Sequence, residues 1–276
     1  MSQPDLFMSG LSKEDAIRNI VASSVAGFAA TFSTRHIKEL HIPDGVINSK
    51  IHNVFLAELS PEVQYYSSLG RSFDSSLGNQ LEAMAINIAR LSYDVSSEVE
   101  GPLSIEQTHG IAGLLEQYNR LQKKPAISDY AFLREKPTDQ TLKAKRHVSD
   151  YHLTDRLTGD RFLIELKAGG DLDNKKSRSE KEAILEQYAI LSNTLPRETN
   201  IRIFFATAYN RYGEGKPWVQ GRVRQFFAVD ELLIGRDFWN LVCRMPNGYE
   251  VVMDAYREHA HLIREALDKI KRVYLG

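Results

Sequence analysis

The run IRIFFATAY, residues 201–209, constrains the fold most, because it is apolar along nearly its whole length. A strand buried on only one face alternates apolar and polar residues; one with this composition needs cover on both faces, as in the interior of a parallel sheet. Upstream, Ser179 to about Leu191 sets Ile184, Leu185, Tyr188 and Leu191 on one helical face. Before that, RFLIELKA at 161–168 alternates as a strand should. Strand, helix, strand in this order implies a right-handed crossover and a parallel pairing of 161–168 with 201–209.

HVSDYHLT at 147–154 also alternates and is joined to 161–168 by the turn residues RLTG, a hairpin signal. In the register centred on Arg156–Gly159, Leu153 faces Phe162 and Asp150 faces Glu165. Glu165 and Lys167 lie two apart and share a face, while Phe162, Ile164 and Leu166 take the other and anchor the core. Directly opposed residues have Cβ atoms roughly 5 Å apart, and two carboxylates so close repel unless a cation or proton lies between them. Two acids and an amine suit a hard divalent ion such as Mg²⁺, which takes carboxylate and phosphate oxygens. Such an ion polarises a phosphate and makes hydroxide available near neutral pH, with Lys167 placed to assist the water. An isolated Glu-x-Lys in a strand is usually a surface ion pair. Here the opposed Asp150, the apolar flank, the Gly169-Gly170 loop and the following helix and strand sharpen the signal. A one-residue slip would turn Asp150 to the other face; Asp155 is the alternative acid, but it lies at the turn, about 17 Å along the strand. Asp171 and Asp173, in the loop after Gly170, read as loop-capping residues before a second metal site.

Asp150, the turn and Glu165-Leu166-Lys167 resemble the PD-(D/E)xK signature of restriction-endonuclease-like nucleases, with Ser149 where the usual proline stands. SFDSSLGNQLEAMAINIA at 72–89 is similar to the first core helix of these enzymes, where Glu82 takes the place of a glutamate pointing at the metal site. GGDLDNKKSRSEKEAILEQYAIL at 169–191, AYNRYGEGKPW and LLIGRDFWNLVC resemble the TdeIII type of type II restriction endonuclease, and the likeness spans roughly 72–245. It implies an α/β restriction-endonuclease-like core, a mixed sheet flanked by helices, with N- and C-terminal helical additions. It further implies Mg²⁺ at Asp150, Glu165 and Leu166, a homodimer cutting double-stranded DNA at a GC-rich palindrome of the GGNCC kind, and a partner methyltransferase protecting host DNA. The competing readings are a nuclease of the same superfamily without sequence preference, and a DNA-binding protein whose Asp150, Glu165 and Lys167 form only an ion cluster.

Overall charge is uninformative, with 35 Lys plus Arg against 36 Asp plus Glu, so a DNA-binding surface must concentrate cations locally. Residues 201–224 do so through Arg202, Arg211, Lys216, Arg222 and Arg224, interleaved with Tyr209, Tyr212 and Trp218. Arg and Lys read guanine O6 and N7 in the major groove. Arg222 and Arg224 would share a face if 222–228 were a strand; Asn210 is an adenine or phosphate contact candidate. Lys175, Lys176, Arg178 and Lys181 form a second group suited to the phosphate backbone.

Elsewhere, Ser12 caps a helix through about Ala30, a Ser/Gly-rich patch at 67–78 breaks the pattern, and Asn79 to about Leu91 is helical. A helix is read near Ile111–Leu121, Leu232–Val242 packs as a helix with Trp239 in the core, and a long amphipathic helix starts near Tyr249. The layout reads as an N-terminal helical subdomain 1–71, a nuclease core 72–230 and a C-terminal helical extension 231–276. The lone Cys243 excludes a disulfide framework, no run approaches the ~20 apolar residues of a membrane span, and MSQPDLFMSG lacks a signal-peptide pattern, together pointing to the cytoplasm.

Overall fold

The computed structural model describes residues 11–135, 142–169 and 172–276, with only the backbone of residues 51, 142 and 148–150. Its contacts form two compact units, one of the chain up to Asn87 with Glu250–Gly276, the other Ile88–Tyr249. The sequence reading had drawn its boundaries at 71 and 230.

The first unit is helical. Ser12 and Asp15 form a reciprocal capping box that opens α1 (Lys13–Lys38), which buries Ile17, Val21, Val25, Phe28 and Phe32. A four-residue helix α2 (Val54–Ala57) precedes α3 (Pro61–Ala89). Contrary to the expected break, α3 runs unbroken through the Ser/Gly patch: Tyr65 and Leu69 are buried, and Phe73 meets the rings of Phe28 and Phe32. Packing here overrides poor helix propensity, which is only a weak prior. The long final helix α8 (Gly248–Leu275) returns to α1 through Tyr274, whose hydroxyl donates to the His36 carbonyl at 2.9 Å.

The second unit is a five-stranded mixed sheet of β1 (Tyr93–Ser104), β2 (Leu142–Asp155), β3 (Arg161–Leu166), β4 (Ile201–Thr207) and β5 (Leu232–Ile234), in that spatial order. β1, β2 and β3 are antiparallel; β3, β4 and β5 are parallel. Thus the α/β mixed-sheet architecture and the β3–β4 pairing are as expected. α5 (Asn174–Thr194) connects β3 to β4 and packs on β1, β3 and β4 beside α4 (Ile105–Asn119). Leu163, Ile203, Phe205, Ile184, Leu185 and Tyr188 share the core between this layer and the sheet. On the opposite face, Tyr151 meets Phe238 of α7 (Arg236–Cys243), and Phe162 meets Tyr93 and Phe204. β3 is therefore covered on both sides, not anchored from one.

Three elements differ from expectation. β1 was given no element by the sequence reading; it is an edge strand, where Pro102 costs no ladder bond. Leu232–Val242 divides into β5 and α7 at Gly235, whose φ of +54° no side chain adopts easily. Residues 222–228 are not a strand: α6 (Gly221–Arg224) is a single helical turn, with Val223, Phe226 and Phe227 buried at helical spacing.

Candidate active site

The β2–β3 hairpin has the register read from the sequence: Leu153 pairs with Phe162 and Tyr151 with Ile164. Tyr151–Ile164 is the last pair of that ladder, and Asp150 and Glu165 are the next residues of the two strands. Asp150 also falls in an irregularity of the β1–β2 ladder. His152 pairs with Ser96 and Val148 with Glu98, so residues 149–151 stand against Ser97 alone. Bulges of this kind recur next to active sites, where they re-aim side chains. Beyond it the faces exchange: Tyr93 meets Phe162 on one side of the sheet, while Val99 and Leu103 join the α4–α5 core on the other.

Glu165 and Lys167 share the α5 face, and their carboxylate and ammonium are bonded to each other. Lys167 Nζ also lies 3.4 Å from Glu180 Oε1 on α5. The three side chains are 14%, 32% and 26% exposed, so the cluster is desolvated in part yet open. Lys167 N–H donates to the Ala206 carbonyl, which sets Thr207 beside Lys167 on the same face. The Thr207 hydroxyl is fully buried and finds no hydrogen-bond partner among the described residues. Leu166 points into the opposite core, so only its carbonyl could face a cation. Lower on this face, opposite Leu163, His152 is buried with both ring nitrogens unpartnered among the described residues. Burial, and then the nearby Arg161, push its pKa down to about 4, so the ring is neutral at pH 7.

Two carboxylates already holding an amine, beside an orphaned hydroxyl, fit a hydrated oxygen-seeking divalent ion. Among the described residues no three His, Cys, Asp or Glu side chains gather in one place; the Asp150 side chain lies outside those described, as does Asp171. Asp155, the alternative acid, has another task. It is buried, pairs with Arg244 at 2.7 Å, and accepts from the N–H of Leu157 and Thr158, closing the hairpin turn. Asp173 is the N-cap of α5, accepting from Lys176 N–H at 2.8 Å. Glu82 is half-buried on α3, in the helical unit.

The basic loop after β4 lies against the strand end that carries Lys167. A Cβ on Gly169 would stand 2.6 Å from the Tyr209 hydroxyl, so a side chain there would have to push that ring aside. Arg211 and Lys216 are exposed on this loop. Asn210 braces it, its amide donating to the Lys216 carbonyl at 2.7 Å and its oxygen accepting from Tyr212 N–H. Arg222 and Arg224 are exposed but, two apart on a helical turn, do not share the face a strand would have given them. Trp218 packs in the core against Phe205, and Trp239 is buried with its indole N–H donating to the Ala208 carbonyl. Lys175 and Lys176 are exposed on the first turn of α5, which holds no acidic residue. Glu180 is the site neighbour that the sequence reading missed.

A family model described as type II restriction endonuclease, HinfI, matches residues 13–260. No curated protein and no solved structure matches the chain.

Proposed function

The chain belongs to the HinfI family of type II restriction endonucleases, and from that premise we propose how its residues cut DNA. Asp150 and Glu165, with the Leu166 carbonyl, would hold Mg²⁺. When bound, the ion supplies Lewis acidity and an acidified water. Lys167 would orient the attacking water and offset charge developing on the phosphate. The observation that carries this reading is the hairpin register, whose last pair, Tyr151 with Ile164, adjoins Asp150 on one strand and Glu165 on the other.

Arg211 and Lys216, on the loop against Gly169, and Lys175 and Lys176, at the start of α5, contact the backbone and bases beside the cut. Lysines at the positive end of a helix repel its dipole, and a bound phosphate would relieve that. Arg222 and Arg224 extend the surface, and Asn210 contributes by shaping the loop. Cutting both strands of a palindrome needs two such sites, hence a homodimer. A methyltransferase of matching specificity protects host DNA in the same cytoplasm. A GGNCC-like target is supported by the TdeIII likeness alone.

The test is plasmid DNA incubated with the protein and Mg²⁺. Discrete fragments are expected, and mapping their ends gives the recognised bases and stagger together. A smear would mean a nuclease without sequence preference; intact but bound DNA would mean no hydrolysis at all. Glu165→Ala and Lys167→Ala should abolish cutting with binding largely kept, and normal cutting by either removes that residue from the site.

A further inference from the structure

We infer that Glu180 is a positioning residue: it keeps the Lys167 ammonium at the site once the Glu165 carboxylate turns to the cation. The inference rests on the reading of Glu165 and Lys167 given above. Without a divalent ion, the Lys167 ammonium is bonded to Glu165 and lies 3.4 Å from Glu180. A doubly charged ion at Glu165 competes with the ammonium for the same oxygens and repels it at short range. Lysine has a long flexible stem and a compact, strongly hydrated head, so an ammonium displaced from Glu165 stays at the site more readily when a second anion already lies beside it. Glu180 is that anion, and it comes from a different element, out of reach of the hairpin's own rearrangement.

α5 is fixed so as to aim Glu180. Asp173 caps its first turn, setting the start of the helix. Lys181, the next residue, is sealed against Glu231 at 2.6 Å with both side chains about 1% exposed, locking the helix against rotation about its axis. Glu180, about 100° around the helix from Lys181, is thereby turned to the strand end that carries Lys167. A carboxylate beside a polyanion-binding site also repels the substrate, which gives its presence there a cost that the anchoring of Lys167 offsets.

Three measurements test this on the full chain with a supercoiled plasmid that the wild type cuts. They are single-turnover cleavage with Mg²⁺, DNA affinity without a divalent ion, and labelling of Lys167 by an amine-modifying reagent in DNA-free protein saturated with Mg²⁺, followed by mass spectrometry. Glu180→Gln should cut about 10–100-fold more slowly, the range for losing a partner that orients a metal-site group. It should bind DNA as the wild type does, and its Lys167 should be labelled faster. Glu180→Asp should recover part of the rate, and thermal melts confirm that both variants are folded. Wild-type cutting or unchanged labelling in Glu180→Gln, while Lys167→Ala is inactive, overturns the inference and leaves the site reading intact. DNA affinity falling in step with rate would equally overturn it, by making Glu180 a binding residue. If Lys167→Ala itself cuts normally, the site reading fails first and takes this inference with it.

Discussion

Two lysine–glutamate clusters meet neighbouring residues of α5 and have opposite characters. Lys181 pairs with Glu231 in the interior, its ammonium 5.1 Å from the Tyr130 ring centroid and 4.8 Å from that of Phe227. The second Glu231 oxygen accepts from Ala228 N–H at 2.7 Å, so both charges are enclosed and partnered. Lys167 lies between Glu165 and Glu180 at a strand end, a third exposed. The residue types are the same, and access separates them. A sealed pair cannot exchange partners and so fixes a geometry, whereas an open one can release an oxygen to a cation or bring an amine to a phosphate.

The sharpest way to break the comparison is to remove each lysine. Lys167→Ala should lower the cleavage rate by about 10²–10⁴-fold, the usual worth of a group assisting proton transfer. Its stability should change by no more than about 1 kcal/mol, as for other partly exposed pairs. Lys181→Met should do the reverse in urea unfolding and cost about 3–5 kcal/mol, because it strands the Glu231 charge in the core. Adding Glu231→Leu should restore most of that stability, since a buried pair replaced by apolar groups of similar volume is often neutral. Equal stability losses at the two lysines would show that both clusters are structural, and the distinction by access would fall.

Where local pattern and tertiary packing agree, the fold was legible. The doubly buried IRIFFATAY, the α5 periodicity and the 156–159 turn together fixed β3, β4 and the hairpin register as far as Tyr151 and Ile164. β1 was not legible because its ladder irregularity exchanges the faces of the strand. Val95, Val99 and Leu103 recur every fourth residue, a spacing that reads as helix or as nothing. α3 was hidden for the opposite reason: Gly70 and its serine neighbours look like a breaker, yet Phe73 and Tyr65 bury the helix through them. Glu180 had the least signal. In sequence it is one charge among many in NKKSRSEKE, and only the docking of α5 on the sheet distinguishes a residue meeting Lys167 from one meeting water. Arg222 and Arg224 were assigned to a common face because buried aromatic pairs suit strands and helical turns alike.

The smallest predicted effect concerns a third ion pair, intermediate between the other two, in which buried Asp155 meets a third-exposed Arg244. Burial pushes the Asp155 carboxyl upward, but the Arg244 guanidinium and the Leu157 and Thr158 N–H groups outweigh it, holding it below its ordinary 3.8. A carboxyl whose folded pKa is depressed lends stability that is fully present above its unfolded value and disappears as pH falls through the folded one. Asp155→Asn, which keeps an acceptor for the turn but loses the charge, should therefore cost about 1–2 kcal/mol at pH 7. That gap should narrow as the pH is taken below about 3.8, the ordinary value from which the shift is measured. Urea midpoints for both proteins at pH 7, 5 and 3 read it directly. A gap as wide at pH 3 as at pH 7 would mean that shape, not charge, joins this turn to Arg244. The half-open pair would then belong with the sealed one as a fixed contact, leaving the Lys167 cluster alone in having charges free to change partners.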